Sequence, residues 1–186
     1  TYGLIGTDVA VWGLYTVAPP GTQHRQLSSF FGRPGAAPSQ PVGLRAWLPT
    51  RAFWERHFFA SYHAVASRGR FESVPLCTFM HVDGPHLLFN MVTLFFFGRQ
   101  LEQLLGTGRY LIFYFTSGAV AASSQLAACS RREPFAQVIG ASGGVYALLA
   151  YMTCLMPQQK VYLYMVLPVP MWLLMCGLVM ADSFLI

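Results

Sequence analysis

Two sets of polar residues sit in segments too apolar to hold them without cost. One is Gly140-Ala141-Ser142-Gly143-Gly144-Val145-Tyr146, inside the apolar stretch 138–156; the other is His81, His86 and Asn90, in HVDGPHLLFNM. A serine with bare backbone on both sides has room for a substrate. Its hydroxyl attacks a carbonyl only if a base takes its proton and donors stabilise the developing oxyanion. His86 and Asn90 are four apart, so on a helix they share a face and could present an imidazole and a carboxamide to one oxygen. His81 lies five residues before His86, separated from it by Gly84-Pro85, and is expected just outside the regular helix, where a hydrogen-bonded core histidine is the competing reading. Polar and ionisable groups inside a membrane mark functional sites by default. Together the two sets point to a serine hydrolase buried in lipid.

The elements that must position these residues follow from composition. The chain is 54% hydrophobic and only 10% charged, with mean hydropathy +0.45, well off the soluble average, and seven acidic residues could not cover a globule of this size. The expected fold is all-α, a polytopic transmembrane helical bundle. With about 20 residues per crossing, five spans are predicted: 2–17, which carries Asp8, then 84–104, 110–129, 139–156 and 161 to at least 181. Residues 18–69 read as a basic connection between the first span and a core at 70–186. It is Pro/Gly-rich at first, and its aromatic half, with Arg51, Arg56, Arg68 and Arg70 interleaved through to the start of the core, suits an amphipathic helix in the interface. Gly140/Gly144, Gly143/Ala147 and Gly118/Ala122 have the i, i+4 spacing that lets helix backbones approach in lipid. Pro168 and Pro170 are expected to interrupt the fifth helix near its start.

Other classes fit less well. The net charge of +5 comes from eleven Arg and one Lys, seven of the Arg between positions 25 and 70; with no repeated module, this reads as a loop beside a membrane and not as a nucleic-acid surface. Cys77, Cys129, Cys154 and Cys176 form no CxxC pair and read as packing residues, not a disulfide framework. No metal or cofactor is expected. Gly140-x-Ser142-x-Gly144 also fits a nucleophile elbow, which requires a preceding strand and a following acid and histidine; none is visible. No repeat symmetry suggests a transporter, and no basic region precedes the first apolar stretch to suggest a cleavable signal peptide.

Over residues 70–186 the chain resembles the rhomboid family of intramembrane serine proteases. The resemblance rests on His81, four residues, His86, three residues and Asn90; on Gly98, Glu102, Gly106 and Arg109 at the family's spacing; and on Ser142 in GxSG, with Tyr146 four residues on. It implies a six-helix core, of which about five spans are present, with Ser142 as nucleophile. His86, Asn90 and the Ser142 backbone N–H would form the oxyanion hole. Tyr146 would pack on the catalytic imidazole, His81, Gly140 and Gly143 would support the site, and Glu102 and Arg109 would hold a helix corner. The implied partners are the lipid bilayer and single-span membrane proteins, cut without ATP or metal. SVPLCTFMH and the FLI ending after Asp182 look most like the mitochondrial presenilin-associated branch, which implies the mitochondrial inner membrane.

Two features depart from the pattern. Glu72-Ser73 replace the tryptophan-arginine pair typical of bacterial members, and no histidine follows Ser142; His24, His57, His63, His81 and His86 all precede it. The family's general base comes from a histidine on the last core helix, so that helix is expected beyond Ile186, and the 186-residue chain is expected to be inactive. The alternative is an inactive rhomboid-like protein that binds membrane clients.

Overall fold

The first helix, α1 (Tyr2–Val17), is apolar almost all round and ends where Ala18 turns extended ahead of Pro19, as a residue before proline prefers. The structure is a computed structural model that describes residues 1–19, 48–163 and 166–185, with side chains given except at 163 and 182–185. The Pro/Gly-rich part of the 18–69 connection lies outside the described residues. The aromatic part does not form the single amphipathic helix its sequence suggests. It breaks into α2 (Arg51–Phe58), which buries Trp54, a wide turn over His63–Ser67, and the short α3 (Ser73–Leu76), which tightens into a 3₁₀ turn at Cys77–Phe79. Gly69, at φ +66°, and Pro75 punctuate the run, which explains why no helix continues through it.

Helix α4 (Gly84–Thr93) starts where Asp83 caps it, the Asp83 Oδ1 accepting from the His86 N–H at 2.7 Å, with Pro85 in the first turn; both are favoured helix-start features. It runs through a wide turn at Leu94–Gly98 into α5 (Arg99–Leu105). The 22 residues from 84 to 105 reach about 33 Å at 1.5 Å per residue, enough to cross a bilayer. Gly106, at φ +79°, reverses the chain into α6 (Thr107–Cys129), which among the described residues is the helix long and apolar enough to cross by itself. Helix α7 (Ser142–Leu155) has 14 residues and α8 (Met171–Leu185) has 15.

Between them the expected fifth span is corrected. Where it would begin, two strands pair antiparallel, β1 (Lys160–Leu163) with β2 (Leu167–Pro170), in register Lys160↔Pro170 and Tyr162↔Pro168. Two prolines spaced by two cannot continue a helix. In a strand both present their missing N–H to the same edge, which costs no ladder bond if that edge is the outer one.

The core sits where α4, α5, α6 and α7 meet, around Leu87, Met91, Leu94, Leu101, Tyr114 and Leu148. Small residues set the α6–α7 distance. A Cβ at Gly143 would lie 2.7 Å from the Ala121 Cβ, one at Gly144 would lie 2.7 Å from the Tyr114 ring, and one at Gly118 would lie 3.8 Å from the Gly144 N. Gly140 falls outside α7 and does not share that packing role. The outward faces carry exposed Leu88, Phe89, Ile112 and Val120, an apolar exterior that suits lipid and would be a liability in water. Asp8 is fully buried, and neither of its oxygens has a partner among the described residues.

Candidate active site

Helix α7 is the element that matters most, because of where it begins. Its 14 residues reach about 21 Å, short of a hydrocarbon core of about 30 Å. The chain leading into Ser142 must therefore pass through part of the membrane without helical hydrogen bonds of its own, which is tolerated only where other protein groups satisfy its backbone. They do so here. Ala60 and Val138 form a two-way bridge, N–H to O at 3.3 and 2.7 Å; the His63 N–H donates to the Pro134 carbonyl at 2.8 Å, and the Gly140 N–H donates to the Cys77 carbonyl at 2.9 Å. The connection 48–80 thus serves as a cradle for the loop that presents the serine.

Gly140 has φ +121°, a conformation other residues rarely adopt, and a side chain there would collide with His86: a Cβ would lie 2.8 Å from Cε1 and 3.2 Å from Nε2 of that ring. The same point is 3.6 Å from the Ser142 Oγ. The His86 imidazole and the Ser142 hydroxyl therefore flank one bare stretch of backbone. The Ser142 hydroxyl forms no hydrogen bond to a described residue and faces a cavity of about 230 Å³ bounded by Cys77, Gly118, Gln125, Gly140 and Tyr146. Tyr146 lines that cavity one helical turn beyond the serine.

Asn90 is buried on the same face of α4 as His86, and its Nδ2 donates to the His86 carbonyl at 2.9 Å. That uses one of its two N–H groups and leaves the second. His81 lies, as its spacing suggests, in the bend before α4. Its ring is 5.1 Å from that of His86, and its Nε2 accepts from the Ala141 N–H at 3.5 Å. Accepting at Nε2 places the proton of the neutral ring on Nδ1, which is buried without a partner among the described residues. Burial first, and then the neighbouring His86, pushes the His81 imidazole down to about 4. It is neutral at physiological pH and touches the residue just before the serine.

The Gly98, Glu102, Gly106, Arg109 set lies at the opposite end of the bundle, far along α5 from the serine. Glu102 accepts from the Thr107 hydroxyl at 3.1 Å and the Thr1 hydroxyl at 2.7 Å, and a Cβ at Gly98 would meet the Tyr110 hydroxyl at 2.8 Å. Arg109 is exposed and makes no ion pair with Glu102 among the described residues. Sequence reasoning passed over Gln125 and treated Cys77 only as packing. A signal existed for Gln125, the one carboxamide in α6, since a polar side chain in an apolar helix is itself a pointer.

A helical membrane bundle that holds an unpartnered serine beside an imidazole at a short helix's start defines a membrane-embedded protein with a candidate hydrolase site. The Rhomboid domain family matches residues 68–185, and the chain belongs to the rhomboid family, a family of membrane-embedded serine proteases. It is 30% identical over 129 residues to RHOMBOID-like protein 12, mitochondrial, of Arabidopsis thaliana, covering 61% of this chain and 38% of that one. It is also 30% identical over 113 residues to the putative rhomboid protease YdcA of Bacillus subtilis (strain 168), covering 60% and 50%. The chain thus spans half or less of the length of these relatives. No solved structure matches it.

Proposed function

We propose that the protein is an intramembrane serine endopeptidase that cuts transmembrane segments of single-span membrane proteins, with Ser142 as nucleophile. The observation that carries this reading is the approach of the Ser142 Oγ and the His86 ring to the bare backbone of Gly140, with Ser142 and Gly140 both lining a cavity of about 230 Å³. In the attack, the Oγ bonds to the scissile carbonyl carbon and the carbonyl oxygen becomes an anion. The Ser142 N–H is among the unpaired donors at the start of α7, where the helix dipole also favours negative charge. His86 and the second Nδ2 hydrogen of Asn90 complete the proposed oxyanion hole.

One imidazole cannot easily accept the serine proton and donate to the oxyanion in the same step. His86 is assigned the second task, and the proton acceptor is assigned to a histidine outside these 186 residues. On this reading the 186-residue chain alone is inactive. The mitochondrial inner membrane is the proposed location, supported by the name of the Arabidopsis relative. His81, Gly140, Gly143 and Tyr146 are proposed to support the site, and Gly98, Glu102, Gly106 and Arg109 the helix corner.

The test is cleavage of a single-span reporter by the full-length protein in proteoliposomes without ATP and with a metal chelator present. Cleavage within the reporter's membrane segment supports the reading, and none over a range of reporters counts against it. The absence of a histidine after Ser142 in these residues favours a second reading, an inactive homologue that binds membrane clients. Under that reading a reporter would co-purify with the protein uncut.

A further inference from the structure

The end of the bundle that holds Ser142 also gathers charge. Across 51–72 and 130–137 the sequence has six arginines against three glutamates, and among the described residues none of those arginines forms an ion pair. Arg51 stacks on Tyr15 with its Cζ 5.6 Å from the ring centroid, and Arg70 donates to the Arg56 carbonyl at 2.9 Å. Of the acids, Glu72 is taken up by His57 at 3.5 Å. Arg56, Arg68, Arg131 and Arg132 are exposed. Beside them Tyr62, Phe71 and Phe135 are exposed too, the two phenylalanines 69% each.

The two segments form one surface. The His63 N–H donates to the Pro134 carbonyl, and the His63 ring lies 4.7 Å from that of Phe135. Its depth follows from α6, whose 23 residues reach about 35 Å and so outrun a core of about 30 Å. Residues just past Cys129 therefore emerge at headgroup level. Exposed aromatic rings and unpaired arginines at that level match the two components of an interface, rings at the boundary and cations at anionic headgroups. At the opposite end the described cationic side chains are Arg99, Arg109 and Lys160, and Arg99 stacks on Tyr2 with its Cζ 5.2 Å from the ring centroid.

The geometry points to an anionic phospholipid docking surface formed by Arg68, Arg131 and Arg132 with Tyr62, Phe71 and Phe135, which holds the 48–80 cradle and the serine loop against the headgroups. This inference uses the membrane setting of the family and does not depend on proteolysis. The test is hydrogen exchange on the full-length protein in nanodiscs of phosphatidylcholine, with and without one third phosphatidylserine. An arginine at an anionic surface is worth about fivefold in partitioning, so amides of 62–71 and 131–137 should exchange at least about fivefold more slowly in the anionic discs. The slowing should vanish at about 1 M salt, where screening shrinks to about 3 Å. The Arg68→Gln, Arg131→Gln, Arg132→Gln triple variant should lose the slowing, and the matching lysine variant should keep it. Equal exchange of the wild type in both discs, or slowing retained in the glutamine variant, would overturn the proposal.

Discussion

The serine end and the α5–α6 corner use the same kinds of residue, glycines and polar groups set in apolar helices, and use them in opposite ways. At the corner, Glu102 accepts from two hydroxyls and Gly106 supplies a positive-φ reversal, so these groups are taken up by local structure. At the other end, the Ser142 hydroxyl has no described partner, the Asn90 amide keeps one N–H in reserve, and Gly118, Gly140 and Gly143 line the cavity beside the serine. A polar group in a membrane helix that is fully satisfied by its neighbours is a fastener. One left unsatisfied beside empty space is a candidate for chemistry.

Substitutions that break this contrast should separate rate from stability. Ser142→Ala in the full-length enzyme should lower kcat by about 10⁴-fold or more and leave thermal stability unchanged, read by a cleavage assay and a melting curve on one preparation. Residual cleavage within tenfold of wild type would remove the serine from its role. Asn90→Ala should lower kcat by about 10²- to 10³-fold with little change in KM, as loss of one oxyanion donor does. A rise in KM alone would make Asn90 a binding residue.

His81 connects the two behaviours, since it is buried like a fastener but touches the serine loop. Its folded pKa of about 4 lies below the ordinary 6.5. The unfolded state therefore binds the proton more readily between those values, and stability should be full above about pH 6.5 and fall progressively as pH drops toward about 4. The loss should be on the order of 2 to 3 kcal/mol. His81→Gln should flatten that dependence, measured as melting temperature against pH; an unchanged slope would show that another group carries it. The smallest effect on rate belongs to the corner. Gly106→Ala should cost about 1 to 3 kcal/mol, because φ +79° with ψ 153° is a conformation open essentially to glycine alone, while kcat per folded molecule stays within about threefold. A kcat loss larger than that would make the corner part of the chemistry.

Much of this arrangement was legible beforehand, for identifiable reasons. The helices within 2–17, 84–104 and 110–129 could be read because sustained apolar runs without Pro past the first turn favour a helix. The shared face of His86 and Asn90 and the bend at His81 follow from helical period and from Gly84-Pro85. The β1–β2 pair could not be read the same way. Its sequence is as apolar as a span, and only the proline pair argued against a helix. The cradle was equally hidden, because the Ala60–Val138 bridge joins residues far apart in sequence through backbone atoms, which carry no side-chain signature. Gly140 could be picked out as a neighbour of the serine, but that its bare backbone makes room for His86 emerges only when the two segments are packed together.

Reaction of the full-length protein with a serine-directed fluorophosphonate, with the adduct mapped by peptide mass spectrometry, tests the central claim most directly. An activated serine beside its oxyanion donors should carry the adduct on Ser142, the label should be lost in Ser142→Ala, and the 186-residue chain alone should remain unlabelled. No adduct in the full-length protein, or an adduct on a different serine, would contradict Ser142 as the nucleophile.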